Sequence, residues 1–390
     1  MTTQKDDELF DLIGAISTVI GTAKDEGLPP IRRAPRPTQT PDGRHPPADL
    51  LVPAVGLIAP PDESEGQMSV TAPPARTHGA TSPLRSRPAV RRFLEGPALT
   101  PADLSMVLLV TEEETDRPMP TLTVSQIPTA MREARQLGIR SVKVFAESTQ
   151  RDTAGEFSVV PDALMARAVR AAKDAEPEIA VMTETCLCSY TDTGFCYISD
   201  RRGRPDITAT TDVTSRQAVA HAAAGADIVG PASMVVGTTK SAREALNAAG
   251  HESVSIMPHV IFWSSLYDGF RLTMGATPQA GSDREFQINP GKPEQFIDTA
   301  LQLVGDGADM LLLEPAMFSA DVLTELKKRT LAPLFPFSVS GEFTTLSHVD
   351  TASGKRDVRR LVELFTMLKR AGAEASITYA ALDIARHLND

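Results

Sequence analysis

Three cysteines, Cys186, Cys188 and Cys196, fall within the stretch TETCLCSYTDTGFCYI (183–198), and the chain of 390 residues has no others. An odd number in so tight a cluster leaves one thiol unpaired, which argues against a disulfide framework. The spacing C-x-C-x7-C runs through a loop rich in Thr, Gly and Tyr that can fold back on itself, and three converging thiolates suit a soft or borderline divalent cation such as zinc. Three protein ligands leave a fourth tetrahedral position open, which is the pattern of a catalytic zinc rather than a structural one. The plain alternative is a set of buried, inert thiols.

The elements that must position this loop are legible as short aliphatic runs alternating with amphipathic stretches. Candidate strands are MVLLV (106–110), SVKVFA (141–146), IAVMTE (179–184), ADIVGP (226–231), VSIMP (254–258), DMLLLE (309–314), LFPFSV (334–339) and SITYA (376–380). Between them, residues 161–175, 214–226, 293–307 and 356–372 carry helical periodicity. Eight strands alternating with helices over about 300 residues predict an α/β protein, a closed (β/α)8 TIM barrel rather than an open doubly wound sheet. No GxGxxG or GxxxxGK[ST] follows the first strand, so neither a dinucleotide fold nor a phosphate loop is indicated. In such a barrel the chemistry sits at the carboxyl ends of the strands, and the cysteines begin just past the end of the third.

Composition sets the remaining bounds. With 42% hydrophobic and 23% charged residues, and no apolar run long enough to span a bilayer, the chain reads as soluble. A net charge of −11 without a basic block argues against nucleic acid and against anionic membrane surfaces. Residues 1–27 begin acidic and lack the basic start of a signal peptide, so a cytoplasmic location is expected. Leu9, Phe10, Leu12, Ile13, Ile16, Val19 and Ile20 mark one face of a helix there, an arm for its own barrel or twin subunit, or a docking helix for a protein partner. Residues 28–84 are expected to be a linker, because 14 of the 30 prolines lie between Leu28 and Pro88 and such a composition buries too little apolar surface to offset ordering. Residues 85–390 then form the barrel.

The cysteine stretch, followed in order by TSRQAVAHAAAGADIVGPASM (214–234), REALNAAGHESVSIM (243–257), GADMLLLEP (307–315), VSGEF (339–343) and RAGAEASITYAALDIARHL (370–388), resembles porphobilinogen synthase, also called 5-aminolaevulinate dehydratase. The resemblance runs from about Arg87 to the carboxyl terminus. It implies a (β/α)8 barrel assembled as a homo-oligomer through amino-terminal arms, condensation of two small 5-aminolaevulinate molecules, and one zinc ion on Cys186, Cys188 and Cys196.

The departures fall at the chemistry. The family forms Schiff bases through two lysines; in IMPHVIFWSSLYDGF (256–270) the resemblance places Phe262 at the first position, and in GADMLLLEP it places Glu314 at the second. Neither side chain can form an imine. Ser340 and Tyr379 match hydroxyls that hold one substrate carboxylate, Arg271 and Gln287 match positions on the second substrate's side, and Arg284 stands where a basic residue is usual. Acidic residues of the loop after the fourth strand appear as Ser233 and Val236, the Asp before the cysteines is Glu184, and the Gly after the third cysteine is Tyr197.

Glu314, His259 and Glu184 are therefore the candidate catalytic groups. Glu314 could act as general base or fourth metal ligand and His259 as general acid, or the two could be a salt-bridged carboxylate and a hydrogen-bonded strand-end histidine. Lys143, within the second strand, could supply an amine or lie at a solvent end. Three functions stay open. The favoured one is a zinc enzyme that has left haem synthesis, as in secondary metabolism, and acts on a small carboxylate-bearing carbonyl or amino compound by dehydration, condensation or hydrolysis without a Schiff base. The others are a catalytically silent paralogue that binds a ligand or protein partner, and genuine porphobilinogen synthesis. A pocket blocked by Phe262, Trp263 and Tyr197 would favour the silent form.

Overall fold

The structure is a computed structural model that describes residues 83–278 and 283–390. The expected helix at 1–27 and nearly all of the linker at 28–84 lie outside the described residues. Two short helices, α1 (Pro83–Ser86) and α2 (Pro88–Phe93), precede the first strand. Among the described residues no helix is long and apolar enough to cross a membrane.

Every one of the eight expected strands is present. In chain order they are β1 (Leu104–Val110), β2 (Ser141–Ala146), β3 (Ala180–Thr185), β4 (Ile228–Pro231), the pair β5 (Ser255–Ile256) and β6 (His259–Ile261), β7 (Leu311–Glu314) and β8 (Leu334–Ser338); a small hairpin β9 (His348–Val349) and β10 (Arg356–Asp357) follows, then β11 (Ser376–Thr378). All seven residues of β1 are buried, as a strand covered on both faces requires. The pairing is parallel in the order β5-β4-β3-β2-β1-β11-β8-β7-β6.

The fifth strand expected at 254–258 pairs regularly only over β5, and a further short strand, β6, follows just beyond it. Pro258 has no N–H to give to a ladder, so regular pairing stops at Ile256 and resumes at His259. The ring still closes through this stretch, because Met257 donates to the Val229 carbonyl on one side while the Pro258 carbonyl accepts from Leu312 on the other.

Outside the strands lie α3 (Ile127–Gln136), α4 (Leu164–Ala175), α5 (Ile207–Ala223), α6 (Thr238–Ala248), α7 (Asp268–Thr273), α8 (Pro293–Gly305), α9 (Ala320–Arg329), α10 (Ser340–Leu346), α11 (Arg359–Ala371) and α12 (Ala381–Asn389). α5 starts seven residues before its expected position at 214. The Asp206 carboxylate accepts from the Ala209 N–H and caps it, and the hydroxyls of Thr210, Thr214 and Ser215 bond back to carbonyls of the preceding turn. One apolar cluster joins the barrel interior to the inner faces of most of these helices, and a second packs Ala218 and Ala222 of α5 with Ala242 and Leu246 of α6.

Candidate functional site

A cavity of about 610 Å³, counting its open mouth, lies over the carboxyl ends of the strands. Its wall is contributed by alternate residues, as the two-residue period of strands demands: Glu184 on β3 and Cys186 just past it, His259 and Ile261 on β6, Phe337 on β8 and Val339 just past it. Cys188, Cys196, Glu314, Arg271, Gln287 and Tyr379 line it as well. Sequence reasoning thus assembled most of one pocket.

The three cysteines are its metal-binding feature. Their sulfurs lie within 4.8 Å of one another, with Cys186 and Cys188 Sγ at 3.4 Å, and among the described residues they are the only His/Cys/Asp/Glu group so arranged. Sulfurs bound tetrahedrally at ~2.3 Å would stand ~3.8 Å apart, so the cluster fits one thiolate-bound ion. Hydrogen bonds from the other two thiols hold the Cys188 thiol well below its ordinary range, and Cys186 and Cys196 are pushed up as its donors.

The loop that carries them is pinned from several sides. Gln217 on α5 donates to the Cys186 carbonyl at 2.9 Å, Arg151 donates to the Cys188 carbonyl at 3.1 Å, and Thr191 Oγ1 bonds the Leu187 and Phe195 carbonyls. Gly194 turns the chain at φ +72, and a Cβ there would sit 2.5 Å from the Thr277 carbonyl oxygen. Glycine is required at that point by both conformation and space.

Across the pocket, His259 Nδ1 and Glu314 Oε1 are 2.8 Å apart, both groups buried. Adjacent register, with His259 paired to Leu312 and Ile261 to Glu314, brings them together from neighbouring strands. His259 Nε2 is buried and has no hydrogen-bond partner among the described residues. Burial pushes the Glu314 carboxyl up to about 8 against the pull of Lys143, and burial followed by the Lys143 charge holds the His259 imidazole well below its ordinary value. Glu184 is likewise pushed well up by burial, with Cys188 adding to it. Glu314 stands with the imidazole and not in the thiol group, so the geometry favours the acid–base alternative over a fourth ligand.

Several expectations need correction. Phe262 does not face the pocket: it stacks on Phe296 of α8 at 4.3 Å between ring centroids, outside the barrel. Ile261, one residue earlier, is the wall residue beside Glu314. Phe262, at the position the resemblance gives to the first lysine, thus turns its ring to α8 and not into the cavity. Ser340 is committed to backbone, accepting from the Phe270 N–H at 3.0 Å and donating to the Leu266 carbonyl at 2.9 Å, and it positions α7 rather than lining the cavity.

Arg284 lies in the turn 283–286, and its side chain falls outside the described residues. Ser233 caps its own loop by accepting from Val235 N–H, and Val236 is exposed. Phe262, Trp263 and Tyr197 are all absent from the cavity wall; Tyr197 stacks on Phe195 at 5.0 Å. The blocked pocket expected of a silent form is not observed. Tyr267 was missed from the sequence: it lines the cavity and donates to the Phe262 carbonyl at 3.0 Å. Its only sequence signal is its place one turn before Arg271.

A family model described as delta-aminolevulinic acid dehydratase matches residues 80–387. The delta-aminolevulinic acid dehydratase of Escherichia coli (strain K12) is 35% identical over 314 residues, covering 77% of this chain and 95% of that protein. The enzyme of that name from Synechococcus elongatus is 33% identical over 316 residues, covering 78% and 97%. Among solved structures, the delta-aminolevulinic acid dehydratase (porphobilinogen synthase) of Toxoplasma gondii, in complex with the reaction product porphobilinogen, superposes with a TM-score of 0.72 at 28% identity, covering 79% of this chain and 91% of that one.

Proposed function

The chain belongs to the delta-aminolevulinic acid dehydratase family, and from that premise we propose that it is a zinc-dependent, lyase-type enzyme acting without a Schiff base on a small carboxylate-bearing carbonyl or amino compound. The observation that carries this is the pocket wall: three thiols, an acid–base pair and an arginine are present, and no lysine is among the lining residues. Imine chemistry needs an amine that the bound molecule can touch. Proton-transfer chemistry needs what the wall offers.

Cys186, Cys188 and Cys196 would hold the ion, whose open position supplies Lewis-acid polarisation of a carbonyl or hydroxyl oxygen. Arg271 offers the charge to hold a carboxylate, with Gln287 and Tyr379 beside it. Glu314 orients His259 through Nδ1 and leaves Nε2 as the atom that takes a proton from the bound molecule and returns one. Glu184 is the second carboxyl on the wall. The working unit in this reading is a cytoplasmic homo-oligomer.

The test is to incubate the zinc-loaded protein with 5-aminolaevulinate, follow pyrrole formation, and treat a parallel sample with borohydride before intact-mass analysis. The proposal expects neither a pyrrole nor a reduced imine adduct, and a single proton-transfer or dehydration product from a panel of keto and hydroxy acids. Pyrrole formation, or an adduct on any lysine, would overturn it in favour of porphobilinogen synthesis. No turnover of the panel together with no zinc would overturn it in favour of a silent paralogue.

A further inference from the structure

Cations close to the pocket are used in different ways. Lys143 is neither at a solvent end nor on the cavity wall: it is buried within β2, and its Nζ donates to the Thr183 carbonyl at 2.9 Å. Arg117 and Arg151, from the loops after β1 and β2, instead reach the end of α7, the helix that carries the pocket's Arg271. A helix end leaves carbonyls without partners, and here the successive carbonyls of Thr273, Met274 and Gly275 accept from these guanidinium groups. Arg117 donates to Thr273, Arg151 Nη2 to Met274 at 3.3 Å and Arg151 Nη1 to Gly275 at 2.9 Å. Glu147 sits between the two arginines, hydrogen-bonded to Arg117 and 3.6 Å from Arg151 Nη2.

The same Nη1 also reaches the cysteine loop. It donates to the Cys188 carbonyl at 3.1 Å, so one guanidinium joins the backbone of a candidate metal ligand to the backbone just past the helix of Arg271. Further contacts run between the same two segments. Ser189 Oγ donates to the Met274 carbonyl at 3.3 Å, and Gly194 packs so closely that a Cβ there would meet the Thr277 carbonyl oxygen at 2.5 Å. Gly275 makes the approach of Arg151 possible: it has φ +57, and a Cβ on it would meet Arg151 Nη2 at 2.6 Å and a Glu147 carboxylate oxygen at 2.7 Å. A planar guanidinium can bridge two loops in this way, whereas a lysine ammonium is a point donor.

We propose that Arg151 is a positioning residue: it ties α7 to the cysteine loop, so that an ion on Cys186, Cys188 and Cys196 also fixes the end of the helix from which Arg271 faces the bound molecule. Arg271 and Cys188 both line the cavity, and the bridge behind them runs through backbone, which sets where their side chains start. With the cysteine loop held by an ion, Arg151 passes that restraint to the α7 end, and by linkage the metal site and the arginine site favour one another. The inference rests on the thiolate site and the Arg271 role given above, and its test needs no substrate.

Amide hydrogen exchange is followed by mass spectrometry on the full-length protein, zinc-loaded and after zinc removal by chelation. The amides of Met274 and Ala276, bonded to the Phe270 and Arg271 carbonyls, report the α7 end. In the unaltered protein, zinc removal should speed exchange in peptides covering 268–278 as well as in those covering 186–196, by about tenfold or more, since hydrogen bonds from a charged donor are at stake. Loaded Arg151→Met should exchange in 268–278 as fast as the stripped original, with no further change on zinc removal and with β1 and β2 peptides as protected as before. Arg151→Lys keeps the charge beside Glu147 without the fork and should behave like Arg151→Met. Should Arg151→Met unfold, seen as lost protection in β1 and β2, Arg151→Lys decides. Exchange in 268–278 that ignores zinc in the unaltered protein would overturn the proposal, as would coupling that survives in Arg151→Met. Coupling that survives in Arg151→Lys would assign it to the ion pair with Glu147 and overturn the bridge, and a protein that takes up no zinc would overturn it too. Failure of every test compound to turn over would sink the enzyme reading and leave this exchange pattern standing.

Discussion

A carboxyl held as Glu314 is held resists losing its proton, and that resistance has a thermodynamic consequence. Its value in the folded protein, about 8, lies above the ordinary 4.5, so the fold binds a proton there that the unfolded chain has released. The associated stability is fully present below about pH 4.5 and is lost as pH rises through 8, an effect on the order of a few kcal/mol. Thermal melting from pH 5 to 8 should therefore decline for the unaltered protein and flatten in Glu314→Gln; equal slopes would mean Glu314 is not buried as described. At the thiols, Cys188→Ser removes one of the three clustered sulfurs, and bound zinc measured after dialysis should fall from about one ion per chain to near none. His259→Gln, with the fold retained, should lower turnover of whichever acid the panel identifies by about 10²- to 10⁴-fold; a loss below tenfold would remove His259 from the proton-transfer role.

Elements decide which residues meet, and here sequence was legible to different depths. The thiol cluster was readable because its three members lie within one loop, where spacing alone brings them together. All eight strands were readable from their aliphatic runs. The His259–Glu314 contact was not, because it spans 55 positions and depends on the register of β6 against β7, which periodicity does not fix. That Phe262 stacks on α8 instead of lining the pocket was not legible either, because one residue in a strand is the difference between pocket and helix face. The start of α5 was missed because ITATTDVTS has little helical periodicity of its own and is held by the Asp206 cap and hydroxyl back-bonds. Asp206→Ala should cost about 1 kcal/mol in denaturant unfolding. Gly194→Ala, which drives a Cβ toward the Thr277 carbonyl, should cost at least ~1–3 kcal/mol and weaken zinc retention with it. A Gly194→Ala protein as stable and as zinc-loaded as the original would show that the loop's turn does not set the site.

At the scale of the whole molecule, the family match covers the barrel and stops near its start, at residue 80. The 79 residues before it carry the acidic, proline-rich composition and the single amphipathic stretch. If that segment serves assembly, removing residues 1–79 should leave zinc content and melting temperature unchanged while lowering the mass seen by light scattering. Unchanged mass would reassign the segment to a protein partner or to the barrel's own surface.

The proposed chemistry depends on three thiolates holding one zinc with an open position beside an acid–base pair. X-ray absorption at the zinc edge of the purified protein reads that coordination. Three sulfur neighbours at ~2.3 Å and one oxygen or nitrogen at ~2.0–2.1 Å are expected. Zinc bound without sulfur, or no zinc retained at all, would contradict it.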